Sequence, residues 1–236
     1  MTQLHLLPVR TAGAAENMAL DFLLLQRHPR EPAMRFRHYE WRTPAFTFGY
    51  AQKLTWVRDQ LPPGGPFDLC RRPTGGGIVD HRRDWTYALI IPRVHPLWEA
   101  RATQSYRAVH ESLAQALREL GEPATVKTGS QAGEHAAPGV CFDQAEIFDV
   151  VHERTGAKIA GAAQKRNKHG LLLQGSIWKP ALEETLDWDV FGGRFVTALA
   201  RAAGLAVEPT PWPELNEDEV SGLIEQYASP EWLEYR

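Results

Sequence analysis

An amphipathic helix pattern between positions 102 and 120 is the feature that most constrains the fold. Its large apolar residues recur every three or four positions, at Tyr106, Val109, Leu113, Leu117 and Leu120. This spacing places them on one face of an α-helix, and such a face must pack against a second layer. Segments on both sides of the helix predict strands. We therefore predict that this helix lies on a β-sheet.

The strand-like segments are short, rich in β-forming residues and bounded by Pro or Gly. They cover residues 33–41, 45–50, 67–72, 85–91, 145–151, 158–164 and 170–177. Tight polar turns join the last three, which predicts an antiparallel meander. Further helices are predicted over 14–27, over 191–203 and after Asn216, where Glu219 is typical of a capping box. The fold class expected is α+β, with a mixed, largely antiparallel β-sheet packed with helices.

Composition excludes several classes of protein. The chain has 236 residues, a formal net charge of -3 and 43% hydrophobic residues, enough for a sizeable core and too little positive charge for a dedicated nucleic-acid binder. The first residues lack the basic and apolar regions of a signal peptide, and no apolar run approaches the roughly 20 residues that span a bilayer. With only two cysteines, we expect a cytoplasmic protein with reduced thiols and no membrane partner.

Three consecutive glycines at positions 75–77 interrupt a strand-like stretch that runs from Arg71 to His81. Within such sequence, glycines are typical of a bend or of a place where another group approaches the backbone. The stretch has neither the Gly-Lys-Ser/Thr of a phosphate-binding loop nor the spacing of a dinucleotide-binding fingerprint. Arg71, Arg72 and His81 would bring charge to a bare backbone groove, which favours an anionic or carbonyl-bearing ligand. The alternative is a loose turn between two strands.

Lys158 begins a predicted strand between Gly156 and Gly161. An isolated lysine is usually a solvated surface residue. Here the small residues that follow, including Gly161 and Ala162, leave room for a ligand. An ammonium group beside them would hold a carbonyl or phosphate oxygen.

The two cysteines have different settings. Cys70 lies inside an apolar strand, and we predict that it is a buried core residue. Cys141 follows a segment rich in Gly, predicted over 128–139 as an exposed loop. A nearby lysine would stabilise a thiolate there. Two interpretations of Cys141 remain open at this point, a small buried hydrophobe and a nucleophile.

Together these motifs resemble the lipoate-protein ligase and octanoyltransferase superfamily over nearly the whole chain. The resemblance covers the opening helix (15–21), an early hairpin (35–41 and 48–52), the glycine stretch, the lysine strand with Gln164, the strand with Gly170 and residues 174–177, and a tail at 227–232. It implies the class II synthetase-like catalytic fold of biotin and lipoate ligases. It also implies one catalytic domain over 1–236, without an accessory C-terminal ligase domain. The acyl pocket implied is formed by Arg72, Gly75, Gly76, Gly77, His81, Gly161 and Ala162.

Two reactions compete within that superfamily. A ligase activates free lipoate with ATP and Mg²⁺ and needs no cysteine. An octanoyltransferase moves octanoate from acyl carrier protein to a cysteine as a thioester, then to a lysine of a lipoyl domain, and needs no ATP. Cys141, followed seventeen positions later by Lys158, resembles the block that carries the nucleophile in cysteine-dependent octanoyltransferases. The resemblance therefore favours the transferase, with Cys141 and Lys158 as catalytic residues and His81 as a candidate base.

The implied partners are acyl carrier protein and a lipoyl domain of a 2-oxoacid dehydrogenase or the glycine cleavage H protein. Such carriers are typically acidic, and a cluster of basic residues in the two motif regions would steer them. The cluster comprises Arg71, Arg72, Arg82, Arg83, Lys165, Arg166 and Lys168. Two solvated turns are the alternative interpretation. A biotin ligase is disfavoured by the lack of a Gly-Arg-Gly loop of the biotin-ligase type. A silent relative that only binds an acyl domain would be supported if Cys141 or Lys158 lay far from the glycine pocket.

Overall fold

The computed structural model describes residues 3–27, 33–129 and 144–235. In chain order its strands are β1 (Gln3–Leu6), β2 (Arg10–Ala12), β3 (Met34–Trp41), β4 (Ala45–Phe48), β5 (Asp68–Arg71), β6 (Ile78–Asp80), β7 (Asp84–Pro92), β8 (Ala124–Val126), β9 (Val150–His152), β10 (Lys158–Arg166), β11 (Gly170–Trp178) and β12 (Ala206–Pro209). Its helices are α1 (Ala14–Gln26), α2 (Leu54–Gln60), α3 (Pro96–Glu99), α4 (Ala102–Arg118), α5 (Trp188–Ala203), α6 (Glu217–Ala228) and α7 (Pro230–Leu233). None of these helices combines the length and apolar character needed to cross a membrane.

Nine of the described strands form one mixed sheet in the order β12-β1-β3-β7-β11-β10-β9-β8, with β2 beside β3. From β3 to β8 along this order every neighbour is antiparallel, whereas β1 pairs in parallel with β12 and β3. The longest ladder joins β7 to β11, from Pro92 opposite Gly170 to Asp84 opposite Trp178. The predicted sheet, mixed and largely antiparallel, is confirmed.

Helices cover both faces of this sheet, which explains the continuous apolar run in the second half of β7, residues 88–91. Successive side chains of a strand point to opposite faces. Leu89 and Ile91 join a core with α4 and α5, whereas Ala88 and Ile90 join a second core with α1 and α6. Both faces are buried, so no position in this stretch is available for a polar, solvent-facing residue.

The predicted helices are largely confirmed. Val109, Leu113 and Leu117 of α4 are completely buried against the sheet. The helix predicted over 14–27 is α1. Asn216 caps α6, since its Oδ1 accepts the N–H of Glu219 at 3.0 Å. The capping box is incomplete, because the Glu219 carboxylate pairs with Arg27 instead of returning to the helix start.

The meander of β9, β10 and β11 is confirmed, but the strand predicted from residue 145 begins only at Val150. Residues just before it form a turn that is held by hydrogen bonds between Phe148 N–H and Lys127 O and between Lys127 N–H and Asp149 O. Phe148 has a φ of 71°, in the left-handed region that apolar residues rarely adopt. Local β propensity therefore failed here because the chain must turn to pair with residues near β8.

A small second sheet, in the order β5-β4-β6, carries the glycine stretch between β5 and β6. Its central strand β4 is parallel to β5 and antiparallel to β6. The sequence predicted neither β6 nor α2. Arg72 follows β5 beside Phe48 and His81 follows β6 beside Ala45, so the two residues lie at opposite ends of this sheet, with Thr47 of β4 between them.

Candidate active site

A pocket lies between the small sheet and the strands β10 and β11, and it leaves about 430 Å³ free of protein atoms, part of it open to solvent. Its lining is Met18, Tyr39, Thr47, Arg72, Gly76, Val79, His81, Thr86, Gly161, Ala162, Ala163, Gln174, Gly175 and Ser176. Five of the residues that the sequence predicted for the acyl pocket are among them. These are Arg72, Gly76, His81, Gly161 and Ala162.

Gly75 and Gly77 are not in that lining, although they belong to the same loop. Their neighbour across the loop is Gly49. A Cβ on Gly49 would lie 2.1 Å from the carbonyl oxygen of Gly76, and the Gly49 N–H donates to Gly77 O at 3.2 Å. Gly76 itself has a φ of 88°, which favours glycine. The glycine stretch is therefore a hydrogen-bonded turn on which a second backbone packs, and not a loose connection.

His81 and Arg72 meet at Thr47 in the pocket wall. His81 Nε2 lies 2.8 Å from Thr47 Oγ1, and its Nδ1 lies 2.7 Å from Asp84 Oδ2. Its ring stacks on Trp41 with centroids 4.1 Å apart. The Arg72 guanidinium donates to Thr47 Oγ1 at 3.3 Å and to a carbonyl of the glycine turn. Both ring nitrogens of His81 are thus engaged, and a role as base would require release of Thr47.

Lys158 is only 8% exposed, so the solvated interpretation is wrong for this lysine. Its Nζ lies 2.7 Å from Asp149 Oδ2. A Cβ on Gly161 would lie 2.8 Å from Lys158 Cε and 3.0 Å from its Nζ. Since Gly161 lines the pocket, the ammonium lies directly behind the pocket wall. A buried ammonium requires such a counterion, because desolvation of an unpaired charge is costly.

Tyr106 and Asp149 are site residues that the sequence reasoning missed. Tyr106 belongs to the apolar stripe of α4, but its hydroxyl donates to Asp149 Oδ1 and accepts the N–H of Ala162 at 2.9 Å. The available signal was chemical: a buried lysine needs a carboxylate. The sequence does not say which carboxylate, because Asp149 lay in a segment predicted to be a strand.

Gln174 connects the pocket to a buried ion pair beneath it. Its Oε1 accepts from Thr74 Oγ1 at 2.8 Å, and its Nε2 donates to Asp21 Oδ2 at 2.7 Å. Asp21 pairs with Arg37 at 3.3 Å, both side chains being fully buried. Burial raises the pKa of the Asp21 carboxyl, an effect that Arg37 and two hydrogen bonds oppose.

Cys141 and most of the predicted loop over 128–139 lie outside the described residues. Gln144, three positions after Cys141, is described, and Lys158 Nζ donates to its carbonyl oxygen at 3.4 Å. Cys70 is 1% exposed, which confirms its prediction as a core residue. Burial raises the pKa of its thiol far above the ordinary value.

The predicted basic cluster is wrong for Arg71 and Arg72, which are both buried. The Arg71 guanidinium donates to the carbonyl oxygens of Tyr50, Gln52, Trp232 and Leu233. It therefore ties the C-terminal helix α7 to the loop beside the glycine turn. Four members of the cluster are exposed: Arg82, Arg83, Arg166 and Lys168. Among the described residues, no group of three or more His, Cys, Asp or Glu side chains is placed to hold a metal ion.

Comparison with known proteins agrees with this geometry. An octanoyltransferase LipM of Exiguobacterium is 29% identical over 98% of this chain and 98% of its own length. An octanoyltransferase LipM of Geobacillus kaustophilus is 36% identical over 181 residues, which are 73% of this chain and 64% of the relative. A lipoate-protein ligase A crystallised with ATP superposes with a TM-score of 0.74 at 17% identity, covering 99% of this chain and 98% of that one, so the predicted fold is confirmed. The profile of the lipoyl protein ligase A/B catalytic domain matches residues 13–179, and the chain belongs to that family.

Proposed function

We propose that this protein transfers an octanoyl group from acyl carrier protein to a lysine of a lipoyl domain, in lipoate biosynthesis. Similarity to curated octanoyltransferases over nearly the full chain supports octanoyl transfer and disfavours the ATP-dependent ligase alternative. The observation in the structure that carries the proposal is the buried Lys158 ammonium behind a pocket with a bare backbone wall at Gly161.

The first step we propose is attack by the Cys141 thiolate on the carbonyl carbon of the octanoyl thioester. The Cys141 S–C bond forms, the carrier S–C bond breaks, and the carrier leaves as a thiolate that takes up a proton. One thioester replaces another, so the step requires no ATP. Cys141 is three residues from Gln144, whose carbonyl contacts Lys158, and three residues span at most about 11 Å. We propose that the Lys158 ammonium favours the thiolate form of Cys141.

In the second step the amine of the target lysine attacks the acyl-enzyme. The N–C bond forms, the Cys141 S–C bond breaks, the cysteine leaves as a thiolate, and the proton that the attacking nitrogen loses in forming the amide passes to a base or to water. The attacking amine must be neutral, and with an ordinary lysine pKa near 10.4 it must lose a proton first. His81 remains a candidate for the accepting base. Backbone N–H groups of the glycine turn, at Gly76 and Gly77, are candidates for stabilising the oxyanion.

The octyl chain fits the lining of the pocket in chemical terms. Small residues, Gly161, Ala162 and Gly175, leave one wall without projecting side chains, and Met18 and Val79 supply apolar surface. A saturated chain gains free energy from such a surface, by about 0.8 kcal/mol for each buried methylene. Arg72 and His81 lie at the polar part of the lining, where the thioester carbonyl would be held.

For the carriers we propose acyl carrier protein as donor and a lipoyl domain or the H protein as acceptor. The exposed basic residues form two groups, Arg82 and Arg83 at the Asp84–Trp178 end of the β7–β11 ladder and Arg166 and Lys168 at its Pro92–Gly170 end, and each group would attract an acidic carrier. We propose further that one catalytic domain suffices for both steps, and that the reaction takes place in the cytoplasm.

The test is incubation of the purified protein with octanoyl-acyl carrier protein and an apo lipoyl domain, without ATP, followed by mass measurement of the lipoyl domain. We expect an octanoyl adduct on the domain's target lysine. A domain variant with that lysine replaced by arginine serves as control. An adduct formed only from free octanoate or lipoate with ATP would contradict the proposal and support the ligase.

A further inference from the structure

The Asp149 carboxylate is held by three donors from three parts of the chain. Its Oδ2 accepts the Glu146 N–H at 2.7 Å and lies 2.7 Å from Lys158 Nζ, while its Oδ1 accepts the Tyr106 hydroxyl. The residue is 1% exposed. A buried carboxylate with donors on both oxygens has one orientation, so it also fixes the ammonium that it faces.

The Tyr106 hydroxyl connects this ion pair to the pocket strand. The ladder between β9 and β10 pairs Lys158 and Ala160 but extends no farther along β10. The next N–H on this edge, that of Ala162, donates instead to Tyr106 Oη at 2.9 Å. Because Ala162 lines the pocket, one hydroxyl links the pocket wall to the counterion of Lys158.

The backbone that presents Asp149 is itself constrained. Phe148 has a φ of 71°, and its carbonyl accepts the Nδ1–H of the buried His110 at 2.6 Å. Such a conformation at a residue other than glycine is unfavourable and is maintained by surrounding contacts. The turn therefore directs a carboxylate to Lys158 at a cost in stability that a structural loop does not require.

We propose that Asp149 and Tyr106 are positioning residues for Lys158: Asp149 keeps the ammonium charged and beside Gly161, and Tyr106 holds Asp149 in register with the pocket wall at Ala162. The inference rests on the proposed acyl transfer. In this proposal Asp149 determines the charge state of Lys158, whereas Tyr106 determines only the placement of the ion pair. Substitutions at the two residues should therefore have different effects.

Other titratable groups face the ion pair from the elements packed on it. They are Tyr87 of β7, Tyr106 and His110 of α4, and Lys127 after β8. Burial lowers the pKa of His110, and burial followed by the Asp149 charge raises the pKa of Tyr87, so both are neutral near pH 7. Asp149 is thus an anion in direct contact with Lys158, and Asp149→Asn removes that charge.

The experiment compares Asp149→Asn and Tyr106→Phe with the unchanged protein. Asn keeps the shape of Asp149 and removes its charge. The pKa of Lys158 is measured by competitive acetylation with trace acetic anhydride across pH, with the modified lysine quantified by peptide mass spectrometry. The same proteins are assayed for octanoyl transfer as a function of pH. Matched controls are Glu219→Gln, which removes a carboxylate from an exposed ion pair, and Tyr227→Phe, which removes a buried hydroxyl outside the pocket lining.

In Asp149→Asn we expect the pKa of Lys158 to fall by about one to three units, the usual effect of losing an opposite charge at this distance. The alkaline limb of the transfer profile should move down by the same amount. In Tyr106→Phe, transfer should slow by about 5- to 100-fold, because the hydrogen bonds of the hydroxyl to Asp149 Oδ1 and from the Ala162 N–H are both lost, with Lys158 titrating as before. Both controls should behave as the unchanged protein.

An unshifted Lys158 titration in folded Asp149→Asn would overturn the inference, whatever the activity. If Asp149→Asn fails to fold, Tyr106→Phe tests the inference instead. Transfer by Tyr106→Phe at the unchanged rate would show that Tyr106 does not link the ion pair to the pocket wall, and it would overturn the inference. A shifted titration in a protein that transfers no octanoyl group would leave the pairing intact and refute the proposed function. The two failures are therefore distinguishable.

Discussion

Adding a single methyl group at Gly161 should lower the activity of the protein much more than its stability. In Gly161→Ala the new Cβ would lie 2.8 Å from Lys158 Cε, 3.0 Å from its Nζ and 3.2 Å from Asp149 Oδ1. Ordinary contacts begin at 3.4 Å, so the lysine must retreat by about 0.6 Å. Because the same Cβ would also crowd Asp149 Oδ1, this retreat disturbs the ion pair.

The magnitude follows from two opposing effects on stability. Overpacking of a buried site costs about 1–3 kcal/mol, whereas replacing glycine in a strand gains about 0.5–1 kcal/mol. We expect a net loss of about 0–2.5 kcal/mol. Activity should fall more sharply, because displacing a catalytic group by about 1 Å costs about a hundredfold in rate. For 0.6 Å the expected loss in kcat/KM is roughly tenfold.

The assay measures transfer to an apo lipoyl domain at several carrier concentrations, together with thermal unfolding. Gly193→Ala is the matched control, since Gly193 is exposed in α5 and a Cβ there meets no atom within 4 Å. That variant should be more stable by about 1 kcal/mol and fully active. If Gly161→Ala keeps the unchanged kcat/KM and gains stability like the control, Lys158 is not confined as described.

Three further results are expected. Arg71→Met should lower the free energy of unfolding by about 3 kcal/mol or more, because four carbonyl groups lose a charged donor, and urea unfolding measures this. Cys70 should resist iodoacetamide in the folded protein near pH 8, since burial removes access and raises the pKa of its thiol; rapid alkylation at that residue would contradict its place in the core. Burial lowers the pKa of His38, His95 and His110, so the unfolded chain binds more protons than the folded state below about pH 6.5. The free energy of unfolding should therefore fall from about pH 7 to about pH 5, and His110→Gln should reduce that slope.

The parts of the fold that depend on local pattern were predictable. The α4 stripe follows from a three- to four-residue period, and the meander follows from strand-like segments joined by short polar turns. These signals are local, because the spacing of apolar residues within a segment predicts whether it forms a helix or a strand and which face is buried. The turn before Val150 was not predictable, since Phe148 takes a conformation that contacts with Lys127 and His110, both distant in sequence, maintain.

The sequence motifs of the candidate site were predictable, but the hydrogen bonds and ion pairs that connect their residues were not. Gly76, Gly161 and His81 meet in one pocket, as the resemblance implied. Arg71 was misassigned to the surface because its charge favours solvation, whereas its guanidinium satisfies four backbone carbonyls in the interior. The partner of Lys158 was missed for a related reason. A buried charge requires a counterion, but only the tertiary fold selects Asp149.

The central claim is that Cys141 carries the octanoyl group, and intact-mass measurement tests it most directly. The protein is mixed with octanoyl-acyl carrier protein alone, without ATP or acceptor, and its mass is recorded before and after hydroxylamine, which cleaves thioesters. We predict one octanoyl adduct that peptide mapping assigns to Cys141, that hydroxylamine removes and that Cys141→Ala lacks. An adduct that persists in Cys141→Ala, or transfer to a lipoyl domain at the unchanged rate by that variant, would contradict the account.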